Sequence, residues 1–331
     1  MKLLYLSCHS ILEYDELKLF DELGIDYYSL GSYVNPQQPV DPIRPPINHT
    51  PDEWLYSHTP DRNSIPKEFI DKFDVIYVMH VPDWIINNWD NMKGKRVIWR
   101  TIGQSTSETE KKLAPYRREG LEVVRYSPRE QNIKDNIGFD AMIRFYKDPK
   151  EFYGWVGGGT EVITFSQNMK NRAEFCNYDA FMKIGDGLRT TLYGPNNETS
   201  GSINGGLLTY DEMKQKYRDA RAYIYTGTQP ASYTLNFIEA LMTGTPICAI
   251  GSKLANSLDI AGDTYEIPDI IYNGVNGFVN DDIGELRANI GKLIKDVRYA
   301  RYIGNNGRET AIKLFGKEVI KSHWKKFLKI K

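Results

Sequence analysis

Residues 232–249, SYTLNFIEALMTGTPICA, combine a polar loop, a short apolar helix, a Gly-Thr-Pro turn and a buried strand. Leu235, Ile238 and Met242 recur at intervals of three and four residues, which places them on one face of the predicted helix. Glu239 is a lone carboxylate at the margin of that face. It either points to solvent or reaches a polar group at the end of a sheet.

Apolar runs alternate with helical patterns on both sides of this stretch. In the first half the predicted strands are 2–7, 26–31, 73–80, 95–103 and 121–127. In the second half they are 160–167, 189–194, 221–227, 245–251 and 264–268. Continuous apolar strands separated by helices are typical of parallel sheets that are covered on both faces. The pattern predicts an α/β protein with doubly wound domains at 1–150 and 151–331, joined by a Gly-rich hinge at 146–159.

Two segments do not fit a minimal doubly wound domain. Residues 33–66 are rich in proline and have no hydrophobic period, and long irregular loops of this kind are functional or disordered. Their aromatic residues Tyr33, Trp54 and Tyr56 favour function, although local packing would explain them equally well. Residues 195–206, PNNETSGSINGG, are predicted to be a flexible insertion.

Composition limits the classes of partner and compartment. The 331 residues contain 42 basic and 43 acidic side chains, so the net charge gives no argument for a polyanion or an anionic membrane as partner. Residues 93–129 are a local exception, with ten basic and four acidic side chains, and form either a polyanion-binding face or a solvated helix face. Cys8, Cys176 and Cys248 lack metal-ligand spacing and predict a reducing compartment. No apolar run approaches the ~20 residues of a membrane span, so we expect a cytoplasmic protein.

The second half carries a specific resemblance. The order of a helix, the strand RAYIYTG, the loop and helix QPASYTLNFIEALMTG, the strand TPICAI and the later NGVNGF resembles the nucleotide-sugar domain of the family-4 retaining glycosyltransferases over residues 160–325. The first half is similar in architecture and in the motif DVIYVMH. The resemblance implies a GT-B fold, in which two Rossmann-like domains face a central cleft. The first would be the acceptor side and the second the donor side, with the last helix packing back on the first.

The resemblance also implies a donor site. Glu239 matches the second glutamate of an E-x7-E motif, which bonds the ribose hydroxyls of the nucleotide. The backbone amides around Tyr233, Thr234 and Leu235 would meet the donor diphosphate, as N–H groups at a helix start suit an anion. The first glutamate of the motif is replaced by Ala231. Ser232 or Gln229 would then hydrogen-bond the transferred sugar instead.

Three further positions follow from the resemblance. Gln167 and Arg172 occupy the places of a basic pair after the first strand of the donor domain, and Arg172 is the better diphosphate clamp because a guanidinium binds phosphate through two N–H groups. Lys170 is the fallback. His80, at the end of DVIYVMH, matches a histidine that faces the donor sugar. His80 and Arg172 are therefore the predicted catalytic residues.

The resulting hypothesis is a retaining, metal-independent hexosyltransferase that uses a nucleotide sugar, with UDP-glucose as the first expectation, and no other cofactor. The acceptor is a hydroxyl group on a glycan, a small molecule or modified DNA. One alternative is a phage-type DNA glucosyltransferase that acts on a hydroxymethylated base. The basic segment 93–129 and the loop 33–66 suggest this alternative. Another is a catalytically silent nucleotide-sugar-binding protein, suggested by Ala231. A nucleotide-sugar epimerase is a weaker third.

Overall fold

The chain forms two compact units in a computed structural model that describes residues 1–33, 44–45, 47 and 52–330. Unit 1 contains Met1–Phe145 together with the residues from Ile320 onward, and unit 2 is Tyr146–Val319. Unit 2 thus begins shortly before the predicted boundary at residue 150. Most of the proline-rich part of the predicted 33–66 insertion lies outside the described residues.

Unit 1 is built on a parallel sheet of six strands: β1 Lys2–Leu6, β2 Asp26–Ser29, β3 Val75–Met79, β4 Arg96–Arg100, β5 Glu122–Arg125 and β6 Ala141–Met142. Among the described residues, five helices connect the strands: α1 Ser10–Glu22, α2 Glu53–Ser57, α3 Lys67–Ile70, α4 Pro82–Met92 and α5 Ser107–Arg118. A 3-10 helix, Pro128–Asn132, follows β5. The spatial order is β2-β1-β3-β4-β5-β6, so the winding direction reverses between β1 and β3.

Unit 2 repeats this plan with a second parallel sheet: β7 Val162–Phe165, β8 Thr190–Tyr193, β9 Asn204–Gly206, β10 Ala222–Tyr225, β11 Ile247–Ile250 and β12 Phe278–Asn280. Its helices are α6 Ala173–Cys176, α7 Tyr178–Gly185, α8 Tyr210–Asp219, α9 Leu235–Thr243, α10 Ser252–Ala255, α11 Ile267–Ile270, α12 Ile283–Lys295 and α13 Val297–Phe315. A 3-10 segment, Glu198–Ile203, precedes β9. The order β12-β11-β10-β7-β8-β9 reverses between β7 and β10.

The last helix, α14 Lys317–Leu328, starts in unit 2, and its residues from Ile320 belong to unit 1. There Trp324 is buried with its ring 5.7 Å from that of Phe20. The backbone carbonyl of Phe327 accepts a hydrogen bond from Arg96 Nη2 at 3.0 Å.

The strands are buried as the continuous apolar runs predict. Every residue of β3, β10 and β11 is buried, which requires protein on both faces of each sheet. The prediction of two doubly wound parallel sheets is therefore confirmed. Burial of both faces also explains why these strands show no alternation of polar and apolar residues.

Two predictions about unit 2 differ from the structure. Residues 264–268 are not a strand, because α11 begins at Ile267 and Pro268 lies in its first turn, where the absent N–H costs nothing. Residues 195–206 are not merely an insertion, because they contain the 3-10 segment and the edge strand β9, which pairs with β8. The motif NGVNGF forms a turn at residues 274–276 and leads into β12.

Close packing of α9 against α13 fixes the position of α9. Gly244 ends α9 with φ of 89°, a left-handed conformation that glycine adopts without strain. A Cβ atom on Gly304 of α13 would lie 2.0 Å from the carbonyl oxygen of Gly244. Arg308 of α13 donates to the carbonyl oxygens of Met242 and Phe152. These contacts leave α9 little freedom to shift.

Candidate functional site

The two points at which the winding reverses are where this architecture forms binding sites. In open α/β sheets the connections diverge there and leave a crevice outside the carboxyl ends of the strands. In unit 2 this point lies between the ends of β7 and β10, at Phe165 and Tyr225. In unit 1 it lies between the ends of β1 and β3, at Leu6 and Met79.

The start of α9 lies at the reversal point of unit 2. Asn236 donates a side-chain hydrogen bond to the carbonyl oxygen of Phe165, which ties the first turn of α9 to the end of β7. The backbone N–H of Thr234 donates to the Tyr225 hydroxyl at 3.0 Å. Thr234, Leu235 and Asn236 are half-buried, and no described side chain caps the helix. The predicted diphosphate amides therefore lie at the expected edge of the sheet, with that of Thr234 engaged by Tyr225.

Glu239 is buried and paired with a residue that the sequence did not indicate. Its Oε1 lies 2.7 Å from Lys147 Nζ, and the two side chains are 4% and 1% exposed. Its Oε2 accepts a hydrogen bond from the Tyr217 hydroxyl at 3.1 Å. Lys147 lies in the predicted hinge, where no motif marks it as a partner of Glu239.

Ser232 and Gln229, which would replace the missing motif glutamate, both form hydrogen bonds to neighbouring loops. Ser232 is fully buried, and its carbonyl oxygen accepts from the Glu266 N–H at 3.0 Å. Gln229 Nε2 donates to Glu174 O and Ser257 Oγ, both at 3.1 Å, and its Oε1 accepts from the Leu258 N–H. These bonds use the donors and acceptor of the Gln229 amide.

Tyr233 is also buried, with its ring 5.2 Å from that of Phe315. This residue therefore anchors the loop before α9 in the core of unit 2. Its side chain is directed to packing, so any contact with a ligand would have to come from its backbone.

The predicted basic positions after β7 are accessible. Gln167 is exposed and Arg172 is half-buried, with Arg172 Nη1 3.5 Å from the Gln167 carbonyl oxygen. Lys170 donates to the carbonyl oxygen of Thr199 at 2.9 Å. No carboxylate of the described residues forms a salt bridge with Arg172. Of the two cations, Arg172 has more capacity for an added anion.

His80 directly follows β3, at the reversal point of unit 1. It has φ of 60°, a conformation that is unfavourable for a residue other than glycine. The His80 N–H donates to the carbonyl oxygen of Arg100, and the His80 carbonyl oxygen accepts from Trp99 Nε1. The buried Nδ1 of His80 has no partner among the described residues. Burial lowers the pKa of His80 to about 4, so the imidazole is neutral at physiological pH.

The basic side chains of residues 93–129 are mostly neutralised by acids from inside and outside that range. Eight of the ten form ion pairs: Lys93–Asp90, Lys95–Asp71, Arg96–Glu122, Arg100–Glu16, Lys111–Asp135, Lys112–Glu108, Arg117–Asp140 and Arg125–Glu110. The Arg100 and Arg125 pairs are fully buried. The segment is therefore no continuous basic face.

Two kinds of feature are absent from the described residues. No group of three or more His, Cys, Asp or Glu side chains in that part of the chain has the arrangement of a metal site. No helix there combines the length and apolarity needed to cross a membrane.

Comparison with known proteins identifies the fold. No family model matches the sequence, and neither does any curated protein. A glycosyltransferase from Rickettsia africae superimposes with a TM-score of 0.67 at 13% identity, over 100% of this chain and 99% of the other. Anabaena HepE in complex with UDP-glucose gives 0.62 at 14%, over 99% of both. The DNA-modifying enzyme β-glucosyltransferase gives 0.58 at 12%, over 99% of both. The prediction of a GT-B fold is confirmed.

Proposed function

We propose that this protein is a retaining, metal-independent glycosyltransferase that transfers a hexose from a nucleotide sugar to a hydroxyl acceptor. One arrangement carries the proposal: the uncapped start of α9 and the accessible Arg172 belong to the reversal-point region of unit 2. Both features favour a diphosphate. This chain has the same fold as the compared glycosyltransferases, and the similarity covers nearly the whole length of both chains.

In this proposal the start of α9 stabilises the leaving diphosphate. As the bond between sugar and phosphate breaks, negative charge grows on the phosphate oxygens, and preorganised N–H groups and a guanidinium stabilise that charge without reorganisation. The first turn of α9 contains no acidic residue that would oppose an anion. Arg172 supplies the full positive charge that a metal ion supplies in other transferases.

Glu239 would accept hydrogen bonds from the ribose hydroxyls. The contact with Lys147 holds one carboxylate oxygen in place. The Tyr217 hydroxyl fixes the second oxygen. Lys147 and Tyr217 are thus positioning residues for Glu239 in this proposal.

UDP-glucose is the donor that we propose to test first. Anabaena HepE was solved with UDP, with UDP and glucose, and with UDP-glucose, and the DNA-modifying β-glucosyltransferase with and without uridine diphosphoglucose. These ligands belong to proteins of the same fold and give a starting point for the donor screen. The free thiols of Cys8, Cys176 and Cys248 support a reducing, cytoplasmic location.

The test is a thermal-shift measurement with UDP-, GDP-, ADP- and dTDP-glucose, each with and without EDTA. A ligand that binds the native state raises the melting temperature with its degree of saturation, so the shifts rank the donors. We expect one donor to give a clear shift that EDTA does not change. A shift that EDTA abolishes would contradict metal independence.

Arg172→Gln should reduce this shift, corresponding to about tenfold weaker binding, since it removes a charged hydrogen-bond donor. Arg189→Gln is the matched control, because Arg189 is exposed and precedes β8, at the opposite edge of the same sheet. Equal shifts in the two variants would contradict the placement of the diphosphate.

The anomeric configuration of the transferred or hydrolysed sugar, followed by NMR from the start of the reaction, tests retention. Inversion would overturn that part of the proposal. Donor binding without hydrolysis or transfer to any acceptor would favour the catalytically silent alternative. The neutralised segment 93–129 gives no support to modified DNA as the acceptor.

A further inference from the structure

The reversal point of unit 1 contains an arginine that the proposed function does not use. Arg62 Nη1 donates to the carbonyl oxygen of Ser7 at 2.6 Å, immediately after the end of β1. The guanidinium carbon lies 4.6 Å from the centroid of the Trp84 ring, in the first turn of α4. Arg62 thus lies at the carboxyl edge of the sheet, where ligands bind in such architectures.

The surrounding structure fixes Arg62 in this position. The buried side chain of Asn88 donates to the Arg62 carbonyl oxygen at 2.9 Å and accepts from the Ile65 N–H at 2.6 Å. The backbone of this segment is therefore fastened to α4. The stack on Trp84 restricts the guanidinium further, so little side-chain entropy would be lost on binding a ligand.

Arg62 differs from the other arginines of unit 1 whose contacts are defined. Arg96, Arg100, Arg117 and Arg125 each bind a carboxylate, at 2.6–3.1 Å. Within the described residues Arg62 has no carboxylate at salt-bridge distance, and its hydrogen bond to Ser7 is neutral. Its positive charge is therefore not balanced by a carboxylate in that part of the chain.

We infer that Arg62 binds an oxyanion, a phosphate or a carboxylate, on the molecule that accepts the sugar, and that the acceptor is therefore anionic. That Arg62 binds an anion is inferred from its geometry. That this anion is part of the acceptor rests on the proposed function. The planar guanidinium offers Nε and Nη2 as a fork that matches two oxygens of such a group. The stack on Trp84 holds the plane of that fork.

Cys8 provides a readout that needs neither donor nor turnover. It is the exposed cysteine and follows Ser7 directly, whereas Cys176 and Cys248 are buried. Desolvation raises the pKa of the Cys8 thiol to about 11, and the charge of Arg62 acts in the opposite direction. An anion bound to Arg62 should therefore slow alkylation of Cys8 by covering it and by cancelling that charge.

The experiment measures the rate of Cys8 alkylation by iodoacetamide at alkaline pH, against increasing glycerol 3-phosphate, glycerate or glycerol. We expect saturable protection by at least one of the two anions and none by glycerol. Arg62→Gln should weaken protection at least about tenfold, and Arg62→Lys, which keeps the charge but not the fork, should lie between. Melting temperatures of all variants establish that they are folded.

Arg118→Gln is the matched control, because Arg118 is exposed at the end of α5, which runs to the opposite edge of the sheet. It should leave protection unchanged. Equal protection by glycerol, or wild-type protection in Arg62→Gln, would overturn the inference. Vesicles of phosphatidylglycerol and phosphatidylcholine distinguish a lipid headgroup from a free metabolite as the source of the anion. Failure of the donor screen would leave this result intact, so the two proposals fail separately.

Discussion

Lys147 and Glu239 form a buried ion pair, with Lys147 Nζ 2.7 Å from Glu239 Oε1. The pair joins the segment that precedes β7 to the middle of α9. Lys147 is held by its backbone as well, since its N–H donates to Phe315 O at 3.0 Å. Two distant parts of unit 2 therefore meet at the residue that the sequence singled out.

Removing one partner of this pair should be costly. Lys147→Met leaves the Glu239 carboxylate buried without a counter-ion, and we expect a loss of about 3–5 kcal/mol in the free energy of unfolding. The double variant Lys147→Met/Glu239→Gln should recover part of it, as measured by urea denaturation in a double-mutant cycle. Lys150→Met, at an exposed position nearby, is the control. Additive losses in the cycle would show that the pair is not coupled.

Two glycines in neighbouring helices should respond in opposite directions to alanine. Gly304→Ala places a methyl group against the Gly244 carbonyl oxygen, and we expect about 1–3 kcal/mol of destabilisation. Gly291→Ala in α12 has no atom within 4 Å of the new Cβ and should stabilise by about 0.5–1 kcal/mol. Denaturant midpoints measure both. A neutral Gly304→Ala would mean that α9 and α13 can separate without cost.

His80 should make stability depend on pH. Its pKa of about 4 in the folded protein lies below the ordinary 6.5, so between these values the unfolded chain binds a proton that the folded chain does not. Stability is therefore expected to fall as pH decreases from 6.5 toward 4, because of this group. The variant His80→Asn does not titrate at this position, and asparagine tolerates a positive φ. It should therefore lose less stability than the wild type as the pH falls from 6.5 toward 4. Urea denaturation at several pH values compares it with His323→Asn, at an exposed control position. Identical slopes would refute the prediction.

Duplex DNA should bind weakly or not at all. Counter-ion release makes DNA affinity fall with salt in proportion to the phosphates contacted, which requires unpaired cations. Eight of the ten basic side chains in 93–129 already pair with acids. Fluorescence anisotropy at low salt should show no tight binding, with cytochrome c as a basic reference protein. Tight binding whose affinity falls steeply with salt would instead support the DNA-modifying alternative.

The sequence predicted the sheets well because buried parallel strands are continuous apolar runs. It failed at residues 264–268, TYEIP, which resemble a short strand until Pro268 is considered as a helix start. The edge strands β6 and β9 are two and three residues long, too short for a hydrophobic period. The strand β9 was not predicted because residues 195–206 are rich in turn-forming residues.

The candidate site was predicted only in part, for physical reasons. Glu239 and the start of α9 were predicted because their local pattern is specific. Lys147 was missed because an ion pair between residues 92 positions apart leaves no local signal. Arg62 was missed because its meaning lies in having no nearby carboxylate among the described residues. The charge count over 93–129 left two alternatives open for a related reason: partners such as Asp71 and Asp140 lie outside that window.

Unit 1 is discontinuous in sequence, and this has a consequence for the order of synthesis. The aromatic cluster of Phe20, Tyr77 and Trp324 takes its third member from α14. On the ribosome the six strands of unit 1 emerge first, yet the cluster must wait until the whole of unit 2 has been made. The half of the protein that is translated first therefore cannot complete its aromatic cluster until translation is almost over.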